Sequence, residues 1–184
     1  QEKLTRVLTI LLDESEFLSP FGVRSLSKRH ADEPFELSIH GHRHRVAYVP
    51  GESDSPMFGG NSNWRGPLWL PINYLLVEAL ERYHAFFGDE FQVECPTGSG
   101  RWMNLRQVSR ALNDRLTCLF LRPSSGESRP CFGSSCCPGG FHDWQEHLLF
   151  HEYFHGDTGE GLGASHQTGW TALIANCIEK QIEN

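Results

Sequence analysis

Two histidines four residues apart, with a glutamate directly after the first, mark the stretch His151-Glu152-Tyr153-Phe154-His155. On one face of a helix, such histidines both reach a tetrahedral zinc ion while the glutamate polarises the metal-bound water, which is metallopeptidase chemistry. That chemistry needs a helix through both histidines and a third protein ligand. The segment from His142 to His155 offers a roughly helical apolar stripe in Trp144, Leu148 and Phe150 to Tyr153. The third ligand is harder to find. Where a three-histidine site requires Gly and then His, this chain has Thr158 and Gly161; a version with a distant Glu could recruit Glu179, a match that means little for so common a residue. Four glycines between His155 and Ala164 also end any helix at once.

The elements that must position these residues follow from periodicity. Leu4, Val7, Leu8, Leu11 and Leu12 predict a first helix ending near Asp13. Alternation on either side of Gly41 predicts a small hairpin, with strands near Phe35 to Ile39 and Arg45 to Val49. Residues 51–69 are rich in Gly, Ser, Asn and Pro and hold two tryptophans, a composition that does not fill a core. A second helix starts with Pro71 in its first turn, carries Ile72, Leu75, Leu76, Ala79, Leu80 and Tyr83, and stops at Gly88. A third runs from about Asn104 to Arg122, and a last one opens near His166. Residues 123–140 form a surface excursion with turn chemistry throughout. Long helices therefore alternate with loops that hold the Gly, Trp, Asn and His residues, and the loops carry the chemistry.

The chain has 184 residues, enough for one domain with a sizeable core. A formal charge of −7 argues against a nucleic-acid or anionic-membrane surface. The one basic cluster, His40 to Arg45, is short and reads as a turn. No apolar run approaches the ~20 residues of a membrane span, and nothing at the start resembles a signal segment. The six cysteines, at 95, 118, 131, 136, 137 and 177, include no C-x-x-C pair, and Cys118 and Cys177 lie in apolar helical stretches where a buried thiol is expected. That pattern points to a reducing, cytoplasmic compartment. The chain begins with Gln and enters helical periodicity immediately, so it reads as part of something longer.

At Asn63 to Trp69 (NWRGPLW) and His151 to Ala175 (HEYFHGDTGEGLGASHQTGWTALIA), the sequence resembles glycoside hydrolase family 63, and within it bacterial proteins similar to mannosylglycerate and glucosylglycerate hydrolases. The likeness runs almost end to end, including LLDESEFLSPFGVRSLS and FGGNSNWRGPLWLPINYLLVEAL. It implies an (α/α)6 toroid of twelve helices with its active site in the loops at one end. With four or five helices here, the chain is expected to be the C-terminal portion of that toroid, all-α with one small β-hairpin, as a single partial domain over residues 1–184. The resemblance further implies an inverting mechanism on an α-linked glucosyl or mannosyl substrate, with neither metal nor organic cofactor.

In the family motif the general base falls on Glu152; relatives often have an aromatic residue at the place of His151, so a single local change produces the zinc spelling. An inverting hydrolase needs such a carboxylate to deprotonate water opposite the leaving group. Read without the resemblance, Glu152 is also an ordinary solvated glutamate at a helix end. The general acid is an Asp that the family places upstream of Gln1; Asp143, Asp157 and Glu160 are near Glu152 in sequence, and none is assigned that role. Trp64 offers a flat apolar face to sugar C–H groups, Arg65 a planar donor fork, and both with Gly66 fall in the sugar-binding region of the resemblance. Trp64 as a simple loop anchor is the competing reading. Gln167 matches a residue that contacts the non-sugar part of glycerate-type substrates, or else it caps the last helix. His166 and Trp170 rank behind it as substrate-binding residues, with Trp170 also suited to helix packing. Tyr153, His155 and Asp157 are expected to brace the loop around Glu152. The partners so implied are a carbohydrate or glycosyl-glycerate substrate and the preceding part of the same barrel. A zinc peptidase, and a non-catalytic carbohydrate-binding or scaffold module with the Trp loops as its surface, are the alternatives.

Overall fold

A computed structural model describes residues 1–54, 64–124, 128–133 and 147–182. The first helix, α1 (Glu2–Leu11), turns Leu8 inward, and Leu12 directly after it is fully buried. Two short strands, β1 (Leu18–Ser19) and β2 (Gly22–Val23), pair antiparallel just beyond. A hairpin follows, made of β3 (Phe35–Ile39) and β4 (His42–Val46), joined through His40 and Gly41. Its second strand starts three residues earlier than the sequence pattern suggested, because the turn takes only two residues. The hairpin stands away from the core, with Phe35, Leu37 and Ile39 all exposed.

Helix α2 (Leu70–Phe87) has Pro within its first turn, where the missing N–H costs nothing, and ends at Gly88. Buried Asn73 stitches it to β2: its Oδ1 accepts from the Val23 amide at 2.7 Å, and its Nδ2 donates to the Val23 carbonyl at 3.0 Å. Strands β5 (Gln92–Glu94) and β6 (Trp102–Asn104) form a second hairpin leading into α3 (Leu105–Cys118), whose start is a reciprocal capping box between Asn104 and Gln107. Leu105, Val108, Leu112 and Leu116 form its buried stripe. After β7 (Tyr153–Phe154) and β8 (Gly161–Leu162) come the short α4 (Thr168–Thr171) and then α5 (Ile174–Ile182). Helix α3 lies between α2 and α5, tied to them by Ser109 Oγ donating to the Val77 carbonyl at 3.1 Å and Asn113 Nδ2 to the Cys177 carbonyl at 2.7 Å. The core is continuous from Leu8 through the α2–α3 interface to Phe154 and Cys177.

The architecture is therefore mixed, helices with four small two-stranded sheets, rather than all-α with a single hairpin. Helix α3 stops at Cys118 instead of Arg122, since the chain tightens there to bury Leu119 and Phe120, leaving Cys118 exposed while Cys177 is buried. The single closing helix predicted from His166 is broken into α4 and α5 around Ala172. Residues 147–155 are not helical: the amide and carbonyl of Phe154 pair with Leu68 in a bridge, which draws Tyr153 and Phe154 into extended backbone. Residues 142–146 of that predicted helix, with Asp143, Cys136 and Cys137, lie outside the described residues. Among the described residues no helix is long and apolar enough to cross a membrane.

Candidate active site

The two stretches of sequence with the most suggestive motifs cross one another. Leu68 and Phe154 exchange both backbone hydrogen bonds, at 2.8 and 3.0 Å, the Val49 amide donates to the Arg65 carbonyl at 2.6 Å, and the Gly156 amide to the Pro50 carbonyl at 2.9 Å. A methyl group on Gly156 would lie 2.5 Å from the Gly66 carbonyl oxygen and 2.9 Å from the Tyr48 hydroxyl. Only glycine lets the backbones approach this closely. Residues 48–50, 65–68 and 153–156 thus form one woven patch from which the flanking side chains project.

On one side of the patch is an aromatic cluster. Trp64, partly exposed, stacks flat on Trp69 with ring centroids 4.1 Å apart and 4° between planes; Trp69 also meets Tyr153 at 5.0 Å and the edge of Trp170 at 5.9 Å. Three of these four were candidates from sequence. Trp69 was not, since it lies in the Gly- and Ser-rich stretch 51–69 whose composition does not fill a core; residues 65–69 are nevertheless buried, against residues far along the chain.

Glu152 immediately precedes Tyr153. Its amide donates to the Ala164 carbonyl at 2.8 Å, and its Oε2 accepts from the Ala164 amide at 3.3 Å. Its other oxygen takes no hydrogen bond among the described residues. Gly163, with φ of +68°, makes the corner that brings Ala164 there; a methyl on it would meet Glu152 Oε2 and Tyr153 Cε1, each at 2.8 Å. A second carboxylate, Glu52, reaches the same corner. Its Oε2 accepts from the Tyr153 hydroxyl at 2.6 Å and its Oε1 from the Gly163 amide at 3.1 Å. Burial first, then Glu52 and the Glu152 charge, raise the pKa of the Tyr153 hydroxyl, so it stays a donor. Nothing in the local sequence marks Glu52, whose contacts are made across more than a hundred residues.

Other predicted residues are occupied elsewhere. Arg65 is buried, with its guanidinium on Asp54 at 2.5 Å and near Ser53, so its fork is turned to protein groups. That contact, led by the Arg65 hydrogen bond, holds the exposed Asp54 carboxyl below its usual range. Gly66 donates its amide to Ser25 Oγ at 3.0 Å. Partial burial alone would raise the Asp157 pKa, but hydrogen bonds and charge from Arg24 and then Lys28 hold it below the usual value, with ion pairs at 3.0 and 3.3 Å. Arg24 in turn donates to the Tyr48 hydroxyl at 3.0 Å and to the Leu18 carbonyl. His155 Nδ1 accepts from the amides of Asp157 and Thr158, at 3.1 and 3.2 Å, closing its own turn. Gln167 sits at the N-terminal boundary of α4 without a side-chain capping bond, and both it and His166 are exposed. The Gln167 amide donates to the Phe150 carbonyl at 2.7 Å, which brings the pair back beside the Glu152 strand.

The zinc reading fails on this geometry. His151 and His155 flank a strand rather than sharing a helical face, and His155 commits Nδ1 to its own turn. His151 packs against Gly161, and burial pushes its pKa down. No group of three His, Cys, Asp or Glu side chains suited to a metal occurs among the described residues.

Residues 1–171 match the model of the mannosylglycerate hydrolase MGH1-like glycoside hydrolase domain. The chain belongs to this glycoside hydrolase family. Its likeness extends to an uncharacterized protein of Saccharomyces cerevisiae, 51% identical over 179 residues, covering 97% of this chain and 16% of that protein. Two further relatives are more distant. They are a probable mannosyl-oligosaccharide glucosidase of Schizosaccharomyces pombe, 25% identical over 97% of this chain and 15% of its own length, and the mannosyl-oligosaccharide glucosidase of S. cerevisiae, 24% identical over 96% and 15%. These two agree with the family 63 resemblance of the motifs, and the chain spans about a sixth of the length of the relatives it matches.

Proposed function

We propose that this stretch is the C-terminal portion of an (α/α)6 catalytic domain that hydrolyses an α-glucosidic or α-mannosidic bond with inversion, with Glu152 as general base. One observation carries the assignment: Glu152, half-buried and directly before Tyr153 of the aromatic cluster, has one carboxylate oxygen steadied by the Ala164 amide and the other without a hydrogen bond among the described residues. In the reaction, the unbonded oxygen takes a proton from a water molecule as that water attacks the anomeric carbon. The glycosidic C–O bond breaks on the opposite face, and a carboxylic acid protonates the departing oxygen. That acid is an Asp earlier in the full-length protein, so residues 1–184 alone are inactive. Family membership supports the class of reaction, and the names of the relatives support a mannosyl or glucosyl substrate.

Trp64 and Trp170, each partly exposed on the Trp69 platform, provide the faces on which a pyranose ring stacks. Gln167 and His166, exposed beside the same strand, are assigned to the leaving group, glycerate or a second sugar. Arg65 contributes by holding Asp54 through its guanidinium. The reaction as drawn needs no metal and no organic cofactor, and the formal charge of −7 suits a carbohydrate partner better than a nucleic acid or an anionic membrane. A reducing, cytoplasmic setting belongs to the same proposal.

The test is the anomer first released by the full-length protein from an α-linked glucosyl or mannosyl substrate, followed by proton NMR. Initial appearance of the β-anomer is expected. Initial release of the α-anomer would mean retention and would overturn the role given to Glu152.

A further inference from the structure

We infer that Glu52 is a positioning residue for Glu152, an inference that rests on the reading of Glu152 as the base. The two carboxylates divide two consecutive backbone amides between them: Gly163 N–H goes to Glu52 Oε1 at 3.1 Å and Ala164 N–H to Glu152 Oε2 at 3.3 Å. Glu52 is fixed from its other side by the Tyr153 hydroxyl at 2.6 Å, and Tyr153 is fully buried against Trp69. A rigid aromatic residue, an exposed carboxylate and a left-handed glycine therefore make a chain of contacts that ends on the base. Adjacent amides at a corner with a left-handed residue form a concave anion seat, and two carboxylates compete for it. With Glu52 holding the first amide, Glu152 engages only the second and keeps its other oxygen for water.

Without that partition Glu152 is free to fold onto both amides, which satisfies the carboxylate and withdraws it from the reacting water. Glu52 also ties the chain before Trp64 to the segment leading to His166 and Gln167. Its contacts at residues 153 and 163 link residue 52 to the two segments that carry the base and its amide donor. A residue that acts this way changes the rate of the chemical step and leaves substrate binding nearly intact.

The experiment uses the full-length protein with Glu52→Gln, Glu52→Asp, Tyr153→Phe and the Glu52→Gln/Tyr153→Phe double variant. Gln offers one acceptor and sets its NH2 against the second donor, so kcat is expected to fall about 10- to 30-fold with KM within about twofold. The melting midpoint is expected to stay within about 2 °C of wild type, because Glu52 is exposed. Tyr153→Phe is expected to lower kcat similarly, and the double variant to be less damaging than the product of the two, since both act through one contact. Wild-type kcat in Glu52→Gln, or a rise in KM alone, overturns the inference. If Glu52→Gln loses stability along with turnover, Glu52→Asp decides: intermediate kcat at a wild-type midpoint upholds the positioning role, and parallel losses overturn it. Glu152→Gln separates the two levels. If it retains turnover, the base assignment itself has failed; if it abolishes turnover while Glu52→Gln is unaffected, only the present inference has failed.

Discussion

At the C-terminal end of β7, Asp157 is gripped by Arg24 and Lys28, with Arg24 almost wholly buried at 3% side-chain exposure and Asp157 at 29%. At the N-terminal end of the same two-residue strand, Glu152 has one 3.3 Å backbone donor and, among the described residues, no hydrogen bond to its other oxygen. Both acids lie near glycine-rich turns and look alike in sequence. The difference lies in the partners: Asp157 is paired with two cationic side chains that tie distant parts of the chain together, whereas Glu152 meets only a backbone amide, which suits the proton-accepting role proposed for it. Arg65 on Asp54 belongs to the first kind.

The sharpest way to break this comparison is at the Glu152 end, with Gly163→Ala. The residue has φ of +68°, and the added methyl would press on Glu152 Oε2 and Tyr153 Cε1. A displaced base is expected to lower kcat about 100-fold in the full-length protein, measured at saturating substrate. Wild-type turnover would show that the corner does not set the position of Glu152.

The Asp157 end should respond in stability instead. Asp157→Asn is expected to cost about 2 kcal/mol in denaturant unfolding, because buried Arg24 loses its charged partner. The folded-state pKa of Asp157 is depressed below its ordinary 3.8, so the carboxylate's contribution is fully present above that pH and is lost as pH falls through the folded value. The gap between wild type and Asp157→Asn should therefore narrow only in strong acid. A gap that closed on going to alkaline pH would contradict this account.

The smallest expected effect is at Trp64. Replacing it by Leu removes a stacked ring pair that is worth about 1 kcal/mol, and if the exposed face also receives a sugar, KM should rise roughly fivefold with kcat nearly unchanged. Unaltered KM with reduced stability would return Trp64 to the role of loop anchor.

How much of this could be read from the sequence depended on whether the signal was local. Helices α1 and α3 were legible because their buried residues recur at helical spacing, as Leu105, Val108, Leu112 and Leu116 do, whereas α2 was found with the wrong face: Ile72, Leu75 and Tyr83 of its predicted stripe are exposed, and Asn73, Val77, Leu80 and His84 turn to the core. The HEYFH segment misled for the reason short apolar runs often do: Tyr153 and Phe154 suit a helix or a buried strand equally, and pairing with Leu68, 86 positions back in the chain, decides between them. The motif residues Trp64, Tyr153 and Trp170 were picked out and do meet, but on Trp69, which sat in a stretch whose composition does not suggest a core. Glu52 was invisible, since a glutamate in a Gly- and Ser-rich loop has no pattern and both of its partners come from the far end of the chain. Family membership was carried by the motifs themselves and is shown by the match over residues 1–171.

The central claim is that the Glu152 carboxylate removes the proton from the attacking water, and single-turnover rates of the full-length Glu152→Gln variant test it most directly. The account predicts a fall of at least about 1000-fold in the chemical step, with substrate affinity and melting midpoint preserved. A variant that turns over at close to the wild-type rate would contradict it.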